Sequence, residues 1–448
     1  MAKTQRIVLI VSILASFVAF LDGSVVNVAL PAISRTLGGG LVTQQWVVDA
    51  YLLTLGSLIL LAGSLSDIFG RKRILVIGLV GFGAASIMCA LAPSSTFLIV
   101  SRALQGIAGA LLVPSSLALI MSTFKSGGEG KAIGQWTAWT GIAFIVGPLL
   151  GGFLVDTASW RWVFAINILP IAVCLGLFSS IKSPAPTKAA KLDMLGAILC
   201  SAGLIGIVFG LIEQPHYGWA VRTVLPLATG AMCLIAFIVY ESKVKNAMLP
   251  LSLFKVRNFS MGNVATFMIY GGLSLASFII VIFLQQVGHF SAFSAGMALL
   301  PVTLCMFFLS SRFGQLAGKY GPRLFMTAGP LFAGLGYMLM LGVSSDINYW
   351  TQLFPGILLF AVGLSMTVAP LTAAILGDID SARSGIASAV NNAVARIAGL
   401  IAIAFVGVIT GAHLNVQGFH KVIGVVAISF ILGSIISWLG IRNHTVRQ

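Results

Sequence analysis

The chain has 448 residues, of which 58% are hydrophobic and only 8% charged, with mean hydropathy +1.04. A soluble domain covers its surface with about 25% charged residues, so a soluble globular class is excluded and most of the outside must face lipid. The net charge of +15 and pI near 10.0 would point a soluble protein toward nucleic acid. Here Lys and Arg gather in loops between apolar runs, as they do on the cytoplasmic side of membrane proteins, and nucleic acid is set aside as a partner.

Apolar runs of about 20 residues cross a bilayer as helices, and the short alternation of a membrane barrel is absent. Hydropathy predicts an all-α integral membrane protein with fourteen transmembrane helices. They lie near 7–30, 44–66, 74–92, 96–121, 132–155, 160–181, 192–213, 222–240, 259–287, 293–313, 324–343, 350–376, 385–411 and 421–440. The first is too long for a signal-peptide core and carries Asp22, so it is kept as a span. With the N-terminus inside, only Arg35, Arg161, Arg222 and Lys421 fall outside, while Arg102 and Arg396 lie within spans. The other basic residues are cytoplasmic, which places both termini in the cytoplasm.

A repeat fixes the organisation. Gly63-Ser-Leu-Ser-Asp-Ile-Phe-Gly-Arg-Lys-Arg73 has the frame G-x-L-x-x-x-x-G-x-[KR], which returns as Gly314-Gln-Leu-Ala-Gly-Lys-Tyr-Gly-Pro-Arg323. Spans 1–6 then correspond to spans 9–14. The expected domains are an N-terminal six-helix bundle (1–183), a linker with two inserted helices (184–258) and a C-terminal six-helix bundle (259–448). The Pro- and Lys-rich stretch 182–191 is the linker candidate. Two bundles about a midplane site are the alternating-access plan of large transporters.

Charge within a span costs about 2.5–3.5 kcal/mol on insertion scales, which marks each such residue as a functional candidate. Asp22 in span 1 and Arg102 in span 4 both fall roughly 10 Å below the outer surface, at 1.5 Å of rise per residue. They are read either as a static salt bridge or as a site that takes and releases a proton. Aligning Pro114 with Pro370 sets Leu358 opposite Arg102, so the second half has no counterpart of that guanidinium. Asp49, near the outer end of span 2, either attracts a cationic substrate or sits among headgroups. Arg396 in span 13 is expected to face the bundle interior, as an anion contact or as a donor bridging helices.

Ala143, Gly147 and Gly151 recur every four residues beside Pro148 and Gly152, a stripe that lets two helix backbones touch. Trp160, Trp162, Trp219 and Trp350 fall at predicted outer boundaries and are expected in the aromatic belt. Trp136 and Trp139 share a face of span 5. The five cysteines lie in apolar runs with no C-x-x-C pair and read as small buried residues. The Gly-rich stretch 126–132 lacks the first Gly and the final Ser or Thr of a phosphate loop, and no hydrolase or metalloprotease motif occurs. An enzyme is not expected, nor any cofactor, so transport must draw on an ion gradient.

These residues resemble the major facilitator superfamily, and within it the fourteen-span drug–proton antiporters, over essentially the whole chain. The loop Gly63–Arg73 resembles the signature between spans 2 and 3. Arg102-Ala-Leu-Gln-Gly106 is similar to the span 4 signature, and Gly147-Pro-Leu-Leu-Gly-Gly152 to the antiporter signature of exporters. Leu21-Asp-Gly-Ser-Val-Val-Asn-Val-Ala-Leu-Pro31 resembles the span 1 signature of drug-export families, and Trp160-Arg-Trp-Val-Phe-Ala-Ile-Asn167 a further fourteen-span feature. Two departures are that Pro170 comes later than the family's Pro after Asn167, and that Ile403 interrupts a small-residue run.

The resemblance implicates Asp22, Asn27 and Arg102, with Asp22 and Arg102 expected to couple protons; together with the residues read above, the candidate substrate contacts are Asn27, Asp49, Gln105 and Arg396. It further implies a cytoplasmic gate at Gly63, Asp67, Gly70, Arg71, Lys72 and Arg73. Asp67 is expected to face the start of span 13, and the basic cluster to face Asp378 and Asp380. The expected function is export of hydrophobic, cationic small molecules, driven by protons across a cytoplasmic (inner) membrane, by a protein working as a monomer. The alternative is export of one endogenous metabolite, such as a siderophore or organic anion. An uptake symporter and a non-transporting sensor are less well supported by the motifs.

Overall fold

The computed structural model describes residues 3–124, 128–178, 192–244, 247–380, 383–411 and 414–443. The linker expected at 182–191 lies outside the described residues. Among those described every regular element is helical, the solution that satisfies backbone polar groups within one segment in lipid. The first are α1 (Lys3–Leu37), α2 (Gly40–Phe69), α3 (Arg71–Ala90), α4 (Ser95–Thr123), α5 (Glu129–Gly141), α6 (Ala143–Thr157), α7 (Trp162–Ala165) and α8 (Ile168–Phe178). Next come α9 (Met194–Tyr217), α10 (Val221–Glu241), α11 (Arg257–Gln286), α12 (Ala292–Ala298) and α13 (Leu300–Tyr320). The last are α14 (Pro322–Leu339), α15 (Phe354–Gly377), α16 (Ser384–Ala404), α17 (Val406–Thr410) and α18 (Val416–Gly440).

Thirteen helices among the described residues are long and apolar enough to cross a membrane, and Trp162–Phe178 is a shorter apolar stretch in the place of the sixth span. Several helices outrun their hydropathy windows. Helix α1 extends from Lys3 to Leu37 where the apolar run covers 7–30, because a helix continues through the headgroup zone with polar residues that hydropathy does not count. The fifth span is divided where Ile142 lets its carbonyl accept both Ile145 N–H and Val146 N–H at 2.9 Å. Pro148, one turn into α6, has no N–H to return to the preceding turn.

The described helices pack as two compact units. One comprises Met1–Phe209, Val224–Met248 and Ser291–Gly296; the other comprises Gly210–Thr223, Leu249–Phe290 and Met297–Gln448. In the first, α4 packs on α2 and α3, while α1 packs on α4, α6 and α8. In the second, α15 packs on α13 and α14, while α11 packs on α15, α16 and α18. The partners correspond in chain order, so the sequence repeat is also a repeat of tertiary structure. Its two short turns agree in detail. Gly70, between α2 and α3, has φ 93°, and Gly321, between α13 and α14, has φ 86°, a region open to glycine and strained for a residue with a Cβ.

Large apolar side chains are found on both sides of the fold. Phe82, Phe164, Phe278 and Phe430 are buried, whereas Leu169, Val221, Met232 and Phe308 are exposed. So many exposed apolar side chains fit a surface facing hydrocarbon rather than water. Trp162, Trp219 and Trp350 are exposed as belt residues would be. Trp160 departs from that expectation: it is buried, with the Arg161 guanidinium 4.3 Å above its ring. Trp136 and Trp139 also part company. The Trp136 indole donates to Ser16 Oγ at 3.1 Å, while Trp139 is exposed.

Candidate functional site

The site grows from α4. Its residue Gly106 lies against α2, where a Cβ would collide with the Tyr51 carbonyl and the Thr54 side chain. Thr54 Oγ1 in turn donates to the Ala103 carbonyl at 2.8 Å. This close approach brings Arg102 and Gln105, on the same turn, beside α1, α2 and α3.

Arg102 is 1% exposed and Asp22 fully buried. Arg102 Nη1 donates to Asp22 Oδ2 at 2.6 Å and to Gln105 Oε1 at 2.5 Å. Its Nε donates to the Val47 carbonyl at 3.0 Å. The guanidinium also lies 4.3 Å from the Tyr51 ring centroid, a cation–π arrangement that strengthens as water is removed. The other carboxylate oxygen is equally engaged: Gln105 Nε2 donates to Asp22 Oδ1 at 2.9 Å and Asn167 Nδ2 donates to it at 3.0 Å. Gln105 Nε2 also donates to Ser86 Oγ at 2.9 Å. Breaking such a pair by removing one partner typically costs about 3–5 kcal/mol, because the remaining charge is stranded away from water.

Asn167 reaches Asp22 because the sixth span is not one straight helix. α7 ends at Ala165 and α8 begins at Ile168, and the short joint turns Asn167 inward. The sequence sets Asn167 in a motif without marking it as part of the site. The signal was one carboxamide in an apolar run. Ser86 and Tyr51 carried no comparable signal.

The small-residue stripe of α6 is seated next to this cluster. A Cβ on Gly147 would strike the Ser24 side chain, and one on Gly151 would lie 2.6 Å from Val25 Cγ2. Ser24 Oγ donates to the Ala143 carbonyl at 3.1 Å. The two residues after Gly23 on α1 are thus interlocked with α6. On the other face of α6, a Cβ on Gly152 would lie 2.5 Å from Phe293 Cα, and one on Gly296 2.5 Å from the Pro148 carbonyl oxygen. Asp156 caps that segment, accepting from Ala292 N at 3.0 Å and Phe293 N at 2.8 Å.

The remaining candidates are dispersed. Asn27 is half-buried on α1 and takes no part in the Asp22 cluster. Asp49 is fully buried, and neither carboxylate oxygen has a hydrogen-bond partner among the described residues; the Gln44 side chain is likewise unsatisfied. A bare carboxylate in that setting costs several kcal/mol, so Asp49 calls for a proton or a ligand cation. Arg396 on α16 is half-buried and close enough to Tyr270 on α11 to act on it electrostatically. Arg71 Nη2 lies 3.2 Å from Asp67 Oδ1, and Arg71 Nη1 donates to the Ala118 carbonyl of α4 at 2.9 Å. Asp378 and Asp380, after α15, are exposed.

A repeated helical membrane fold with a buried, hydrogen-bonded ion pair points to a membrane transporter rather than an enzyme. Comparison with known proteins gives the family. Residues 12–403 match the family model described as Major Facilitator Superfamily, and the chain belongs to that superfamily. It is 32% identical to the methylenomycin A resistance protein of Bacillus subtilis, over 99% of this chain and 96% of that protein. It is 34% identical to the multidrug resistance protein Stp of Mycobacterium tuberculosis, over 93% of this chain and 78% of that protein. Among solved structures, the peptide transporter POT in complex with sulfate superposes with TM-score 0.71 at 16% identity, covering 98% of this chain and 94% of that one. That likeness is one of fold.

Proposed function

We propose that this protein is a proton-coupled exporter of hydrophobic, cationic small molecules, working by alternating access in a cytoplasmic membrane with both termini inside, and functional as a monomer. The observation that carries the reading is the Asp22–Arg102 pair, buried at 0% and 1% exposure and held by Gln105 and Asn167. The names of its relatives, which speak of resistance to one antibiotic and to many drugs, support drug efflux.

In this reading a proton reaching Asp22 neutralises the carboxylate and loosens its hold on Arg102 and Gln105. Because Ser24 and Val25 interlock with Gly147 and Gly151, a shift of α1 is felt directly by α6. Asp49, buried without a partner, supplies the negative charge for a substrate cation. The turn that carries Asp67 and Arg71–Arg73 serves as a cytoplasmic latch, with Asp67 and Arg73 exposed; if Asp67→Asn leaves transport unchanged, the latch is wrong. The driving force is sufficient in kind: about 2.3 kcal/mol per charge per 100 mV, and about 1.4 kcal/mol per proton for each pH unit.

The test is a substrate panel in proteoliposomes with an imposed pH gradient. Hydrophobic cations such as ethidium should accumulate only while the gradient lasts. Flux indifferent to the gradient would remove the coupling, and no flux of any cation would remove the substrate class.

A further inference from the structure

The second unit carries a polar stripe where α11 meets α16. Asn263, Thr266 and Tyr270 follow one another at three- and four-residue steps along a single face of α11. Asn391 of α16 meets them: its Nδ2 donates to Asn263 Oδ1 at 3.1 Å and to Thr266 Oγ1 at 2.8 Å.

The orientation of the Asn391 amide is fixed by what its neighbours have already done. Asn263 gives its own amide to the Phe259 carbonyl at 2.8 Å, so it offers Asn391 a carbonyl oxygen. Thr266 gives its hydroxyl proton to the Gly262 carbonyl at 2.8 Å, so it offers only lone pairs. Two acceptors can be satisfied by the NH2 end of a carboxamide and by nothing else on it. The flip that is ordinarily ambiguous for asparagine is therefore decided, and Asn391 Oδ1 faces away from α11. That oxygen has no partner among the described residues, and the side chain is half-buried rather than sealed. Packing between helices accounts for the nitrogen, because carboxamides join helices in lipid. It leaves the oxygen unexplained.

We propose that Asn391 Oδ1 is a substrate subsite: a pre-oriented acceptor for an N–H or O–H group of the exported molecule. Asn263 and Thr266 are positioning residues that hold it. The subsite therefore reads a hydrogen-bond donor on the substrate rather than its net charge. Compounds that carry a donor are favoured over equally hydrophobic cations that have none. This rests on the efflux reading above.

The experiment compares ethidium, which carries two aromatic amino groups, with tetraphenylphosphonium, which has no donor, in proteoliposomes of the full-length protein. Asn391→Leu should lower kcat/KM for ethidium about tenfold, the size of one lost hydrogen bond, and leave tetraphenylphosphonium unchanged. An ethidium analogue with both amino groups fully methylated should be transported by the wild type as poorly as ethidium is by the variant, with no further loss when the two changes are combined. Thr266→Val, which removes one of the two acceptors that hold the amide, should reduce the preference for ethidium in the same direction but less. If Asn391→Leu lowers both cations alike or neither, the subsite is wrong while efflux stands. If the wild type moves neither cation, the efflux reading falls and the subsite with it.

Discussion

Asn167 Nδ2 donates to Asp22 Oδ1 at 3.0 Å, linking the joint of the sixth span to the carboxylate of the first. It supplies the donor contributed by α7–α8, while Arg102 and Gln105 come from α4. A hydrogen bond to a charged group is worth about 1.5–3 kcal/mol. Asn167→Ala should therefore cut gradient-driven transport by at least about tenfold while leaving the protein in the membrane. Asn167→Asp should do worse, since it sets a second carboxylate against Asp22. Transport rates at matched membrane abundance decide it; an unchanged rate would show that the α7–α8 joint is incidental to the site.

Gly151 has a second, independent prediction attached. Even one methyl group there would lie 2.6 Å from Val25 Cγ2, and overpacking of this kind costs about 1–3 kcal/mol. Gly151→Ala should lower both transport and thermal stability. Gly134→Ala, where a Cβ meets nothing within 4 Å, is the matched control and should be neutral in both assays. Equal behaviour of the two variants would mean that α1 and α6 do not move as an interlocked pair.

Much of this is legible in the amino-acid sequence. The Gly63 and Gly314 frames announced a repeat, and they end in two turns whose φ values differ by only a few degrees. Depth counting brought Asp22 and Arg102 to one level, because helical rise is constant and charge in lipid must be paired. The partners of that pair were less legible. Ser86, Tyr51 and Asn167 arrive from α3, α2 and the α7–α8 joint, and hydropathy records neither helix rotation nor a break within a span. Trp160 shows the same limit. Its position suggested the lipid boundary, yet Arg161 covers it and it packs edge-on to Phe164 at 6.2 Å.

In the proposed exporter, Asp49 would separate charge recognition from proton coupling. Its buried, unpartnered carboxylate is assigned to the substrate cation, so Asp49→Asn should raise KM for cationic substrates by roughly tenfold or more and spare neutral ones. Because the variant replaces a buried carboxyl that has no hydrogen-bond partner among the described residues, its thermal stability should be equal to or above that of the wild type. Loss of transport for neutral and cationic compounds together would place Asp49 in the coupling machinery instead.

Asp22 itself is the residue on which the account depends. The most direct measurement is uptake of a hydrophobic cation by proteoliposomes containing Asp22→Asn, with and without an imposed pH gradient. The account predicts that gradient-driven accumulation is abolished while downhill movement of the same cation persists. Accumulation equal to that of the wild type would contradict it.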